Sequence, residues 1–466
     1  MPPIDGLPDD VLLEIFDFHT NSYLYYRGKK EIEVWTTLVH VCRRWRSLVL
    51  GSPRHLDLQL FCKPKTTKEA LDIWPAFLPF VIRGDMVLSL YNMDNFIAIL
   101  DQPNRVRGVV LWDFGVEKLG DVLAAMPRAP FPELTELQVW SNSDTPPVIP
   151  DSFLGGSAPR LRRLQLIGIS FSKLRLSADR LVDLSLTDIP HSGYISPEAM
   201  VALVSMFSSL RSLDLKFDSP ESRPGRQGQS LPPPEHSILP SLENFCFEGV
   251  IEYLEDLLTL VDTPQLETLK IIFFNQINFN CPRLAQFIKR TPLRAAEAHV
   301  QFDDDTAGVE LRHRSSTPLS FDLSIKIHRD SETDLRLSFI EHVCSSSFHT
   351  ISTVEDLYIE HDHSPLDWWN DAIENTPLLQ LLLPFTAVKN LYISRGFMRG
   401  IAAALQELVD GRITEVLPSL QNIFVEVLEP SGVFQSNIER FVAARHLSGH
   451  PIAVSLWGED PDIMEM

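Results

Sequence analysis

Apolar and polar positions along the 466 residues fall into one recurring frame: an apolar residue, two others, an apolar residue, one other, an apolar residue. It is read at VRGVVL (Val106), LTELQV (Leu134), LRRLQL (Leu161), LVDLSL (Leu181), LRSLDL (Leu210), LENFCF (Leu242), LETLKI (Leu266), VEDLYI (Val354), VKNLYI (Val388) and LQNIFV (Leu420). Successive starts are 28, 27, 20, 29, 32, 24, 88, 34 and 32 residues apart. The last apolar pair in each copy is two residues apart, which is strand periodicity. Proline often stands two places ahead, as at Pro132, Pro159, Pro240, Pro264 and Pro418. The 88-residue gap holds weaker candidates, LRAAEA from Leu293 and FDLSIKI from Phe321.

Between the copies lie helical stretches. SPEAMVALVSMF (Ser196 to Phe207) opens with a capping serine, then a proline suited to the first turn, then an acidic residue. YLEDLLTLV, CPRLAQFIKR, LDWWNDAI and MRGIAAALQELV follow the same logic. A frame returning every 20–35 residues signals a stacked repeat. Strand, turn and helix in order predict an α/β fold: an irregular leucine-rich-repeat-like solenoid over 61–457 with a parallel sheet.

Period two also selects the side chains on the sheet face away from the helices. These include Glu136, Gln138, Trp140, Arg163, Gln165, Asp183, Ser185, Asp214, Lys216 and Lys270 in the first seven copies. Asp356, Tyr358, Glu360, Asn390, Tyr392, Phe424 and Glu426 follow in the last three. Trp140, Arg163, Tyr358, Tyr392 and Phe424 are the candidate target-binding residues, since aromatic and arginine side chains anchor interfaces. The aromatics serve either as such anchors or as ground for C-terminal segments or loops to cover. Ser219 to Ser237, with five prolines and no apolar periodicity, is expected to be a mobile insert.

The first sixty residues do not follow the frame. LPDDVLLEIFDF predicts a helix, with Pro8 in its first turn and Asp9 and Asp10 complementing the helix dipole. HTNSYLYYRGKK predicts a loop, and EIEVWTTLVHVCRRWRSLVLG a second helix ended by Gly51. On one continuous helix, the apolar residues from Leu38 to Leu50 would span an arc of about 200°, twice a single amphipathic stripe. So wide an arc calls for two neighbours, and some fifty residues supply too little interior to bury it alone.

The net charge is −21, with +1 in residues 1–70 and −22 in the rest. An acidic body argues against nucleic acid as the ligand and permits basic partners. The five cysteines, at 42, 62, 246, 281 and 344, make no CxxC pair and suit neither a zinc site nor a disulfide framework. With no export signal and no apolar run of membrane-spanning length, the expectation is reduced thiols in the cytosol or nucleus and no membrane. Nucleophile-elbow, Walker, dinucleotide and zinc-protease motifs are absent. His361 and His363 beside Asp362 lack an identifiable third ligand and read as a polar turn, as does the FDDD run from Phe302. The expectation is a chain that is no enzyme and needs no cofactor or metal.

LPDDVLLEIF followed by LVHVCRRWRSLV and GSPRHLDL resembles an F-box, carried by Leu7, Pro8, Ile15, Phe16, Leu38, Val41, Cys42, Trp45 and Arg46. The resemblance covers residues 4–60; its spacer, Asp17 to Val34, is longer than usual for the family. The body is similar to F-box proteins with degenerate leucine-rich repeats. AALQELVDGRITEVLPSLQNIFVE and FVAARHLSGHPIAVSLW resemble those of mushroom-forming fungi. The resemblance implies an all-helical F-box at 4–60, the solenoid, and an acidic tail at 458–466. It implies docking on the Skp-type adaptor of a cullin ubiquitin ligase, with an unknown protein target held by the body. Leu7, Pro8, Val11, Leu12, Ile15, Phe16, Leu38, Val41, Cys42 and Trp45 are then the adaptor-binding set, with internal packing the competing role for each. The alternative is a repeat scaffold whose F-box-like segment no longer docks.

Overall fold

The computed structural model describes residues 4–22, 34–53, 56, 60–62, 75, 77–84, 93–112, 116–126, 129–143, 145–170, 175–220, 236–274, 281–290, 295–302, 306–313, 322–328, 333–345, 351–361, 375–409, 412–426 and 433–457. The chain forms two compact units, Met1–Gly193 and Tyr194–Met466.

The first unit opens with three helices, α1 (Asp9–Ser22), α2 (Val34–Val39) and α3 (Arg43–Gly51). Strands β1 (Leu60–Cys62), β2 (Phe80–Gly84), β3 (Val106–Trp112), β4 (Glu136–Trp140), β5 (Arg163–Ile167) and β6 (Asp183–Ile189) pair in parallel in chain order. Helices Met93–Leu100 and Val116–Ala125 separate β2, β3 and β4. From β4 to β6 the described connections carry no α-helix. A short 3-10 turn, Phe153–Gly156, stands there instead, with Leu154, Gly155 and Gly156 at positive φ. A Cβ on Gly155 would come within 2.4 Å of the Ala129 carbonyl carbon, so only glycine fits.

In the second unit the strands are β7 (Ser212–Phe217), β8 (Ser237–Ile238), β9 (Asn244–Gly249), β10 (Val261–Asp262), β11 (Thr268–Phe273) and β12 (Glu297–Phe302). They continue with β13 (Thr306–Arg312), β14 (Asp322–His328), β15 (Asp356–His361), β16 (Asn390–Ile393), β17 (Asn422–Val425) and β18 (Ala453–Leu456). Their order is β7-β9-β11-β14-β13-β12-β15-β16-β17-β18, and β8 pairs with β10 apart from this sheet. Helices Pro197–Val204, Ile251–Leu258, Pro282–Arg290, Thr333–Ser345, Asn375–Leu382, Met398–Gln406 and Val433–Leu447 intervene along the chain. Ser196 caps the first of them, its Oγ accepting from the Ala199 amide at 3.3 Å. Each unit is thus an α/β solenoid of leucine-rich-repeat-like construction with a mainly parallel sheet.

All ten copies of the apolar frame fall on strands, with their last apolar pair buried. The prolines are explained by the turn that feeds each strand. The amides of Leu134, Leu161, Leu242, Leu266 and Leu420 donate to the carbonyls of Phe131, Ala158, Leu239, Thr263 and Leu417. Proline is the second residue of each turn, where its fixed φ is already the one required.

Buried arginines also brace these turns. Arg445 is fully buried, and its guanidinium donates to the carbonyls of Ile413, Leu417, Pro418 and Leu420 at 3.1–3.5 Å. Arg105 does the same for Leu78 and Pro75 at 3.2 Å and lies over the Phe80 ring.

Several expectations are corrected. The sheet of the second unit is not wholly parallel: β13 runs antiparallel to both β12 and β14. Only three residues separate β12 from β13, too few for a helical crossover, so the chain makes a hairpin. The copy placed at LRAAEA lies two residues later: Ala295, Ala298 and Val300 are the buried frame, with Ala298 and Val300 in register with Leu357 and Ile359. A slip of two keeps the face and changes the partner. The N-terminal region has three helices rather than two. α1 runs on through His19–Ser22, and the second expected helix breaks between Val39 and Arg43. Cys42 is extended there, and its Sγ accepts from the Trp45 amide. The 200° arc therefore divides between two helices of different direction. Residues 221–235 of the expected insert, the YLYYRGKK segment, His363, LDWWNDAI and the tail 458–466 lie outside the described residues.

Candidate functional site

Helical spacing sorts the N-terminal residues into two rows. Leu12 and Phe16 form the inner row of α1 and are buried with Leu38, Trp45 and Val49. The Phe16 and Trp45 rings meet at 4.7 Å, centroid to centroid. Four residues of the expected adaptor set, Leu12, Phe16, Leu38 and Trp45, therefore hold the helices to one another rather than facing outward. Val11, Ile15 and Phe18 form the outer row, one α-helical turn apart, and are exposed with Pro8. Val41, in the turn between α2 and α3, is 59 % exposed. Leu7 and Cys42 are half-buried.

The arginines that made this segment look basic are structural. The Arg44 guanidinium donates to the Asp9 carboxylate and to the Leu7 carbonyl at 2.6 Å, tying α3 to the start of α1. Arg46 donates from Nε to the Val39 carbonyl at 2.9 Å, occupying an acceptor left free where α2 ends.

In the first unit, Trp140 is half-buried on β4, and its ring packs edge-on against Trp112 at 6.1 Å. Trp112, 51 % exposed, was missed although it holds in its own copy the place that Trp140 holds. Arg163 is exposed and bridges Glu136 at 3.1 Å and Asp183 at 3.5 Å across three adjacent strands.

The second unit brings the remaining candidates together. Parallel pairing sets His299, Tyr358, Tyr392 and Phe424 side by side on β12, β15, β16 and β17. Their rings stack at 4.4, 4.2 and 4.6 Å with interplanar angles of 4°, 8° and 10°. Trp457 lies at a tilt beside Tyr358 and Tyr392, at 6.0 and 5.8 Å. The aromatics are half-buried, partly by one another and by this C-terminal tryptophan. A second ladder runs alongside: Asn390 donates to Asp356 at 2.6 Å, and Asn422 donates to Asn390 at 2.8 Å. Sequence reasoning missed His299, although it occupies the place between the last apolar pair that Tyr358 holds in its own copy.

Towards the hairpin the same face becomes an ion network. Lys326 reaches Glu310 at 3.1 Å and Gln301 at 3.2 Å, and Arg312 meets Glu310 at 2.6 Å. Gly308 stands in register between Lys326 and Gln301; a Cβ there would come within 2.6 Å of the Lys326 side chain. Burial alone would raise the Glu310 carboxyl, but the Arg312 hydrogen bond and the Lys326 charge outweigh it and hold it low. Glu360 is likewise burdened by burial and held below the ordinary glutamate range by His299 and Gln301.

Three thiols are suppressed. Burial pushes Cys246 up to about 12, and raises Cys281 and Cys344 as well. Among the described residues no group of three or more metal-ligating side chains converges, and no helix is long and apolar enough to cross a membrane.

No family model and no curated protein matches the chain. Solved structures similar to it at low identity include two. One is the leucine-rich repeat-containing protein LegL7 from Legionella pneumophila, at 12% identity and TM-score 0.26, with 82% of this chain and 96% of that chain covered. The other is a TLR13–ssRNA13 complex, at 12% identity and TM-score 0.28, with 87% of this chain covered. The chain spans 63% of the length of that second protein.

Proposed function

We propose that this protein is a substrate-recognition adaptor of a Skp-cullin-F-box ubiquitin ligase. The N-terminal helices dock on the Skp-type adaptor, and the open strand face of the solenoid binds a target protein. The observation that carries the reading is the exposed apolar row Val11, Ile15 and Phe18, with Pro8 and Val41 beside it, around a helical unit whose aromatic core is already closed. Covering each such aliphatic side chain is worth about 1.5–3 kcal/mol, enough for a docking surface. The exposure of Val11, Ile15 and Val41 favours docking over the alternative, a repeat scaffold or binding protein whose F-box-like segment no longer docks on a ligase.

In this reading the chain does no bond chemistry. It raises the effective concentration of the target beside a charged ubiquitin-conjugating enzyme, so that transfer is nearly intramolecular. Such a role belongs to the cytosol or nucleus. The test is co-elution of the full chain with a coexpressed Skp-type adaptor, followed for wild type and for Val11→Asp/Val41→Asp. Loss of a wild-type complex in the variant is the expected outcome; failure of the wild type to form one sinks the proposal.

A further inference from the structure

The described open-face positions from β12 to β18 carry a one-sided chemistry. Glu297, Asp356, Glu360 and Glu426 are there, with no lysine or arginine. On the neighbouring strands, Arg312 and Lys326 are held by Glu310. The ladder's end at β12 is also short of donors. The His299 side chain is nine-tenths buried, with Nδ1 at 3.3 Å from the Glu360 carboxylate. Its Nε2 is buried without a hydrogen-bond partner, 4.0 Å from the Glu297 carboxylate. Two carboxylates, Glu297 and Glu360, thus share one imidazole beside a row of aromatic rings, and Arg312, which also acts on Glu360, is bonded to Glu310. The ring faces are spent on one another, leaving their edges to contact an apolar stem.

We propose that this end of the face takes a cationic, extended segment of the target protein. The stem of a lysine or arginine lies along the Tyr358–Tyr392–Phe424 ladder and its charged head meets Glu297 and Glu360. Long basic side chains suit such a site because their methylenes pack while the head stays with the carboxylates. The inference rests on the reading of the open face as the target-binding surface, and not on adaptor docking.

The test uses the full-length chain and fluorescein-labelled heptapeptides alternating glycine with arginine, glutamine or glutamate, read by anisotropy. The arginine peptide is expected to bind about tenfold more tightly than the glutamine peptide, and the glutamate peptide not at all. Glu297→Gln/Glu360→Gln is expected to weaken the arginine peptide about tenfold, with thermal melting confirming the fold. Glu252→Gln/Glu439→Gln removes the same charge from helices and is expected to change nothing. Equal loss in both doubles would show a general polyanion effect and overturn the site. Equal binding of arginine and glutamine peptides would overturn the cationic assignment while leaving the face as a binding surface. Val11→Asp/Val41→Asp should leave peptide affinity unchanged, which separates this proposal from adaptor docking.

Discussion

The N-terminal helices and the β12–β18 face use aromatic side chains differently. In the helices Phe16 and Trp45 close the core, and the apolar side chains of Val11, Ile15 and Phe18 are left outside. On the strand face the rings are outside, and they cover each other in a ladder braced by Asp356, Asn390 and Asn422. A row spaced along one helix face cannot cover itself at a surface, whereas a ladder of stacked rings partly can. In the proposed reading the first arrangement takes an apolar partner, and the second a partner chosen by charge.

The largest effect that would sharpen this contrast is on the inner row. Trp45→Ala is expected to cost about 3–5 kcal/mol, visible as loss of the N-terminal helices in chemical denaturation. Adaptor binding would then fail through unfolding, whereas Val11→Asp/Val41→Asp would fail with the helices intact. A stable Trp45→Ala protein would break the division into inner and outer rows. In the second unit, Arg445→Met removes a buried donor from three carbonyls of the turn feeding β17 and from that of Ile413. It is expected to lower stability by about 3 kcal/mol in urea titration.

Tyr392→Ala interrupts the ladder in its middle and is expected to cost about 2 kcal/mol, since it removes three ring contacts, with Tyr358, Phe424 and Trp457, and some apolar burial. No loss of stability would mean that the stack is held by the strands alone.

The smallest effect concerns acid. Glu310 and Glu360 are held below their ordinary range in the folded chain, so the unfolded chain takes up their protons first. Their contribution is fully present above about pH 4.3, the ordinary glutamate value, and is lost as pH falls through the folded values. Glu310→Gln/Glu360→Gln should flatten the fall of stability across that window. An unchanged acid limb of the stability–pH curve would contradict the assignment.

The ten apolar frames were legible in the sequence because burial on one face of a strand imposes period two, and the prolines because one turn type recurs. The β12–β13 hairpin was not, since its missing helix is signalled only by a three-residue link within an 88-residue gap. The aromatic ladder was half legible. Tyr358, Tyr392 and Phe424 were singled out as facing outward, but their stacking depends on register between strands about thirty residues apart, and His299 was hidden by a frame read two residues early. At the N-terminus the sequence marked both helices' apolar residues without sorting them. Sorting needed the break at Cys42, where a thiol acts as a helix cap, and arginine bonds to Leu7 and Val39 that no periodicity records.

The central claim is that an outer apolar row on closed helices docks a Skp-type adaptor. Titration calorimetry of the purified full chain against that adaptor tests it most directly, with wild type and Val11→Asp/Val41→Asp compared at equal thermal stability. The account predicts saturable wild-type binding, weakened by about 2–4 kcal/mol in the variant. Absence of wild-type binding, or equal affinity of the two proteins, would contradict it.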